Sequence, residues 1–382
     1  MKLVAGSRKS ELAMLQTNFV KSLLKKANPK LEIEIEGIVT KGDKVLDVAL
    51  SKIGEKSLFT KELEIALQEG KVQFLVHSLK DMPTTLPEGM VLSTILERES
   101  PEDAVVIRKD LADKGIKSLD QLEKTALIGS SSLRRKAQLK RKYPEFRIES
   151  VRGNLNTRLK KLDNVEKSYE TEYSALILAR AGLERMARQN ETFVGRLSET
   201  LDTKTCLYAV GQGALAIETM ATDEKTIELL SSLSHEETTL RVVAERSFMK
   251  ALNGGCSAPV AVESKIKDDN ILALTGGVFS LDGKESIIKT ENIDLCPAKM
   301  PKIKYPFDYV GIVRGKIDKS KMYLAMKLGR ELAEHLIADG AMKILEEARA
   351  ANEDAAPNTN SSPTKATCPV PAAKDLVKSL TS

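Results

Sequence analysis

Apolar and polar positions alternate between two periods along the first two thirds of this chain, one of two residues and one near 3.6. Lys2-Leu3-Val4-Ala5-Gly6 reads as a short strand, and after Ser7-Arg8-Lys9-Ser10 the residues Leu12, Leu15, Phe19 and Leu23 recur at helical spacing. Glu32, Glu34 and Glu36 interleave with Ile33 and Ile35, which predicts a half-exposed or edge strand. Val72-Gln73-Phe74-Leu75-Val76, Ala126-Leu127-Ile128-Gly129, Arg147-Ile148-Glu149-Ser150-Val151 and Ala175-Leu176-Ile177-Leu178-Ala179 predict further short strands, and the last three run into helical patterns. Val210 to Glu218 reads as a strand returning to the first unit. A charged link, Glu97-Arg98-Glu99-Ser100-Pro101-Glu102-Asp103, separates two such units. Beyond Ser231 a helix from Glu236 to Leu252 stops at Asn253-Gly254-Gly255, as glycine after a helix predicts. Residues 350–373, rich in Ala, Asn, Pro, Ser and Thr, are expected to be disordered. The pattern predicts an α/β chain: domain 1 from 1–98 and 208–230, domain 2 from 99–207, a smaller α+β domain 3 from 231–349, and a tail from 350–382.

The strand ends carry the candidate chemistry. In open α/β sheets ligands sit outside the carboxyl ends of strands, and there His77-Ser78-Leu79-Lys80-Asp81-Met82-Pro83 places a cation and an anion against a rigid stop. Arg8 follows the first strand, Ser130-Ser131-Ser132-Leu133-Arg134-Arg135 follows another, Arg152 and Arg158 flank a third helix start, and Arg185 lies past the Ala175 strand. A single charged turn is ordinary surface. Recurrence at several strand ends points instead to a cleft for a ligand with several carboxylates or phosphates, the groups that guanidinium matches in bidentate fashion.

Composition narrows this. With 382 residues, 42% hydrophobic and 30% charged, the chain is long enough for two or three domains of ~100–150 residues. Aromatic residues are only 4% with no Trp, and the net charge of +5 is slight, which argues against a nucleic-acid surface built on stacking. No apolar run approaches the roughly 18 residues of a membrane span, and the chain opens directly into a strand, so a cytoplasmic protein is expected. Cys206, Cys256, Cys296 and Cys368 form no CxxC pair, which fits a reducing compartment. His77, His235 and His335 are too far apart in sequence to suggest a metal site.

Five motifs in this order, His77-Ser78-Leu79-Lys80-Asp81-Met82-Pro83, Gly129-Ser130-Ser131-Ser132-Leu133-Arg134-Arg135, Arg152-Gly153-Asn154, Val210-Gly211-Gln212-Gly213-Ala214 and Gly254-Gly255-Cys256-Ser257-Ala258-Pro259, resemble the hydroxymethylbilane synthase (porphobilinogen deaminase) family over residues 1 to about 295. Leu274-Thr275-Gly276-Gly277-Val278-Phe279-Ser280-Leu281-Asp282-Gly283 resembles its animal branch. The chain departs from the commoner family pattern at Asn156, Tyr208 and Asn253.

The resemblance implies two doubly wound, periplasmic-binding-protein-like domains around a cleft, with a smaller α+β C-terminal domain. It implies a monomeric enzyme that joins four porphobilinogen units head to tail with release of ammonia, without nucleic-acid or membrane partners. Cys256 would carry a dipyrromethane cofactor through a thioether, and no metal is implied. Asp81 would steady cationic stages of the reaction, with Arg8 and Lys80 as its catalytic neighbours. Ser78, Lys80, Asp81, Ser132, Arg134, Arg135, Arg158 and Arg185 would hold the cofactor. Arg8, Gln16, Lys52, Lys56, Phe59, Arg152 and Arg158 would hold substrate, with residues 52–59 as a closing segment hinged near Gly54. Two rivals remain on the residues alone: a non-catalytic two-lobed receptor for a polycarboxylate, and a nucleic-acid-binding protein whose affinity would fall steeply with salt.

Overall fold

A computed structural model describes residues 2–40, 42, 60–164, 167–255, 258–267, 270–296 and 308–354. The first lobe begins with β1 (Lys2–Arg8), α1 (Glu11–Ala27), β2 (Glu32–Ile38), α2 (Lys61–Gln68), β3 (Phe74–Ser78) and β4 (Met90–Ile95). The second contains β5 (Asp103–Ile107), α3 (Lys109–Asp113), β6 (Leu127–Gly129), α4 (Leu133–Lys142), β7 (Arg147–Glu149), α5 (Leu155–Asp163), β8 (Ala175–Ala179), α6 (Arg180–Ala187) and β9 (Glu199–Leu201). The chain then returns through β10 (Leu215–Met220) and α7 (Glu224–Leu230). It ends in α8 (Glu236–Ala251), β11 (Val260–Ile266), β12 (Ile271–Phe279), β13 (Ser286–Asp294), β14 (Asp308–Tyr309), β15 (Ile312–Val313), α9 (Lys319–Ala338) and α10 (Ala341–Asp354).

Among the described residues there are three sheets. The first runs β14-β15-β4-β10-β3-β1-β2 and the second β7-β6-β8-β5-β9, while β11-β12-β13 form an antiparallel third. In the first sheet β1 lies parallel to both β2 and β3, and β10 returns antiparallel between β3 and β4. In the second, β6 is parallel to β7 and β8, while β5 is antiparallel to β8 and β9. Parallel neighbours end on the same edge of a sheet, so Arg8 and the turn after Ser78 emerge together. β2 is an edge strand, and its glutamates face water.

Several boundaries differ from the sequence reading. The α1 stripe of Leu12, Leu15, Phe19 and Leu23 is not the buried face: Gln16, Thr17, Val20 and Leu24 are buried, and Phe19 is 41% exposed. Leu12 and Leu15 pack on the core of the second lobe, and Leu23 packs on that of the first. The helix therefore serves two surfaces, which a single 3.6-residue stripe cannot describe. The return strand starts at Leu215, not Val210, because Gly211 and Gly213 turn the chain first. Residues 308–313, read as part of the third domain, extend the first sheet beside β4. Helix α10 continues to Asp354, five residues into the stretch expected to lack order. The main core unites α8, α9 and the third sheet with Leu79, Met82, Leu92 and Ile95, so the third unit packs chiefly on the first lobe, behind the turn that carries Asp81.

Candidate functional site

A cleft of about 500 Å³ opens between the two lobes, within the range typical of small-molecule sites. From the first lobe it receives Arg8 at the end of β1, Gln16 on α1, and Ser78, Lys80 and Asp81 at the end of β3; from the second, Arg152, Arg158 and Arg185. Pro83 acts as expected: Met82 before it is extended (φ −89°, ψ 131°), and the 3₁₀ turn Leu79–Asp81 stops there. Asp81 is exposed to the cleft while Leu79 is buried beneath it. Gln16 Nε2 donates to Ser78 Oγ at 3.0 Å, tying α1 to this turn.

The electrostatics favour anions. Burial, joined by nearby Arg135 and Arg134, pushes the Lys80 ammonium down to about 8 although Asp81 and Asp103 oppose this. Burial, then Arg135 and Arg152, pushes the Arg158 guanidinium down to about 10. Cations that are desolvated and crowded by other cations gain from a ligand carboxylate. Arg158 also donates through Nε to Gly153 O at 2.8 Å, fixing its stem to the turn after Arg152. Asn156, one of the departures from the family pattern, sits in regular helix in α5 and leaves Arg158 in the cleft.

Other expected site residues lie elsewhere. Arg134 and Arg135 are buried and committed to Asp103, Arg134 Nη1 at 2.8 Å from Oδ2 and Arg135 Nη2 at 2.7 Å from Oδ1. Ser132 caps α4 by accepting Arg135 N–H at 3.4 Å, and it is absent from the cleft lining. Arg185 does reach the cleft, yet it is held by Glu99 at 2.8 Å and by Gly213 O at 2.8 Å. Lys52, Gly54, Lys56, Phe59 and Cys256 lie outside the described residues. His77 is a buried core residue, 3.0 Å from Glu218, and among the described residues no group of three His, Cys, Asp or Glu could hold a metal. Cys206 is a buried thiol that burial pushes up to about 12, not a nucleophile.

Three important residues escaped the sequence reading. Asp103, taken for part of a charged link, neutralises two arginines. Arg246, fully buried on α8, donates to the carbonyls of Met82 (3.2 Å), Pro83 (2.7 Å) and Val310 (2.9 Å), clamping the turn that carries Asp81. Its only local signal was an arginine within the partly apolar run Val242-Val243-Ala244-Glu245-Arg246-Ser247-Phe248. Glu11, at the start of α1, lines the cleft as an acid among cations.

Fold and site together define a two-lobed α/β protein whose cleft sets several cations beside two exposed carboxylates, Glu11 and Asp81. A family model described as "Porphobilinogen deaminase, dipyromethane cofactor binding domain" matches residues 3–228, and one described as "Porphobilinogen deaminase, C-terminal domain" matches 239–303. The porphobilinogen deaminase of Prochlorococcus marinus (strain NATL1A) is 44% identical over 342 residues, 90% of this chain and 95% of that protein. Those of Synechococcus elongatus and Nostoc sp. are each 48% identical, over 73% and 75% of this chain and 82% and 84% of theirs. The chain belongs to the porphobilinogen deaminase family, transferases of tetrapyrrole synthesis, and carries its dipyrromethane-cofactor-binding domain. These relatives are cyanobacterial, so placement in the animal branch gains no support. Two solved structures align weakly: the Bordetella pertussis BvgS periplasmic VFT2 domain (15% identity, TM-score 0.32, 60% of this chain and 84% of that one) and the methionine binding protein MetQ (12%, 0.37, 66% and 96%).

Proposed function

We propose that this chain condenses porphobilinogen units in the interlobe cleft, with Asp81 as the catalytic carboxylate and the surrounding cations as the binding groups. The observation that carries the reading is the placement of an exposed carboxylate among Arg8, Lys80, Arg152 and Arg158 at converging strand ends.

The donor set fits a dipyrromethane group: its acetate and propionate arms are carboxylates, and Lys80 and Arg158 are cations disfavoured by burial and by neighbouring arginines. When bound, that group supplies an electron-rich terminal pyrrole as nucleophile. Cys256 would be its attachment point, and Lys80, Arg158 and Ser78 would hold its polar arms. Arg8 and Arg152 grip the incoming porphobilinogen. Asp81 would accept a pyrrole N–H, lower the energy of the positive charge that develops as ammonia leaves, and serve as an acceptor for the proton released on condensation. Arg134 and Arg135 act at a distance, as charges beneath the cleft, and Arg246 keeps Asp81 in place. The protein works as a monomer in the cytoplasm, and the unpaired thiols of Cys206 and Cys296 suit a reducing compartment.

Intact mass of protein made in a haem-synthesising host tests this, with the expected result an addition of two pyrrole units on Cys256. Asp81→Ala should keep that addition and lose turnover by about 10²–10³-fold. A fully active protein of unmodified mass, or an Asp81→Ala variant with normal turnover, would overturn it.

A further inference from the structure

Glu11 is anomalous in this cleft. Its carboxylate opens α1 on the first lobe, where the helix dipole favours it, and it points not at a guanidinium but at two amides of the second lobe. Asn156 Nδ2 donates to Oε2 at 2.5 Å, and Asn190 Nδ2 donates to Oε1 at 3.0 Å. The Asn190 amide is oriented for this, because its Oδ1 accepts Thr192 N–H at 3.0 Å. Glu11 follows Arg8 by three residues, and Asn156 precedes Arg158 by two on α5. The bridge therefore joins the segments that carry facing cleft cations. On the side of the inter-lobe link, Glu99 holds Arg185 and Arg188 at 2.8 and 2.9 Å.

We propose that Glu11 is a latch for the two lobes: it sets the spacing at which Arg8 faces Arg152 and Arg158, and it lets go as carboxylates accumulate in the cleft. The inference rests on the activity proposed above, in which each added unit brings two carboxylates. Neutral amides suit a reversible latch. A substrate carboxylate would compete with Glu11 for an arginine, whereas it has little call on a side-chain amide. The Glu11 charge is exposed and sits at the cleft, so a lengthening polyanion repels it directly. Glu11 is thus a positioning residue, acting through the separation of the arginines.

The test compares cofactor-loaded wild type with Glu11→Ala, Asn156→Ala and Glu11→Gln. In Glu11→Ala and Asn156→Ala, small-angle scattering before substrate addition should show a larger radius of gyration, and amide exchange at 154–158 and 190–192 should quicken. KM for porphobilinogen should rise about tenfold, the effect of one hydrogen bond to a charged group, with kcat within about twofold. Glu11→Gln keeps one acceptor oxygen and drops the charge, so it should stay closed by scattering and stall at short adducts in intact-mass spectra after limiting substrate. Unchanged scattering, exchange and KM in Glu11→Ala, or a fall in kcat at constant KM, would overturn the latch. So would a Glu11→Gln variant that matches Glu11→Ala. A wild-type protein lacking the adduct would sink the activity reading instead, and the scattering comparison would still judge the latch.

Discussion

Asp103 and Arg135 share two hydrogen bonds at a single oxygen, with Arg135 Nε 3.0 Å and Nη2 2.7 Å from Asp103 Oδ1. The other oxygen takes Arg134 Nη1 at 2.8 Å, and Gln212 Nε2 adds a bond to Oδ1 at 2.8 Å. The carboxylate sits at the start of β5, where the inter-lobe link enters the second lobe. Arg134 and Arg135 are thereby neutralised, while Arg152 and Arg158 line the cleft.

Replacing Asp103 by Asn should therefore damage folding before it damages binding. Two buried guanidiniums would keep their charge and lose their counterion, at a cost of roughly 3–5 kcal/mol. Burial opposes ionisation of Asp103, yet Arg134 and Arg135 outweigh it and hold the carboxyl well below the usual carboxylate range. A depressed folded-state value means the stabilisation is complete above about pH 4, the unfolded-state value, and is lost as pH falls towards the folded one. Thermal melts from pH 7 down to pH 3 check both parts. Asp103→Asn should melt several degrees lower at pH 7 and lose less further stability on acidification than the wild type; equal melting curves would refute the argument.

What the sequence reveals and what it hides follows the range of the interactions. Arg8, Lys80, Asp81 and Arg152 were legible because Arg8 ends β1, Lys80 and Asp81 follow β3 and Arg152 follows β7, and in the first sheet parallel neighbours deliver their ends to one edge. The commitment of Arg134 and Arg135 to Asp103 spans about thirty residues and two elements, so local spacing carried no trace of it. Arg246 reaches carbonyls more than sixty residues away, with backbone atoms that carry no residue-type signal. The two faces of α1 failed for a related reason. Periodicity reports an apolar stripe and not how many surfaces the helix touches.

Lys80 should place a limit on the alkaline side of the free enzyme's activity. Its ammonium, pushed down to about 8 chiefly by burial, is charged below that pH and neutral above it. Since the charged form grips carboxylates, and the cofactor arms assigned to Lys80 raise the value, the alkaline limb of kcat/KM in the cofactor-loaded enzyme should lie above pH 8. Lys80→Arg retains charge throughout this range, so its kcat/KM limb should shift upward even though its fork geometry differs from that of an ammonium. Profiles of the two enzymes share every titration of the substrate, which cancels in the comparison. An identical alkaline limb in Lys80→Arg would remove Lys80 from the account.

The turn that returns the chain to the first lobe yields a steric prediction. Gly213 has φ +87°, a backbone region costly for L side chains, and a Cβ there would lie 2.4 Å from Glu99 O and 3.0 Å from Ser100 O. Neither neighbour is a flexible side-chain end; both are backbone of the inter-lobe link. Its own carbonyl accepts Arg185 Nη2 at 2.8 Å, so displacing it also disturbs the arginine that Glu99 holds. Gly195 offers the control, with φ +72° and nothing within 4 Å of a built Cβ. Gly195→Ala should cost only the backbone term, about 1–2 kcal/mol. Gly213→Ala should cost more, because the link must move as well, and should raise KM for porphobilinogen as the lobes shift, whereas Gly195→Ala leaves KM alone. Denaturant midpoints and initial rates measure the two effects. Equal penalties for the two variants would mean that the link yields freely at Gly213, and that the tie from Arg185 to the return turn does not help set how the lobes meet.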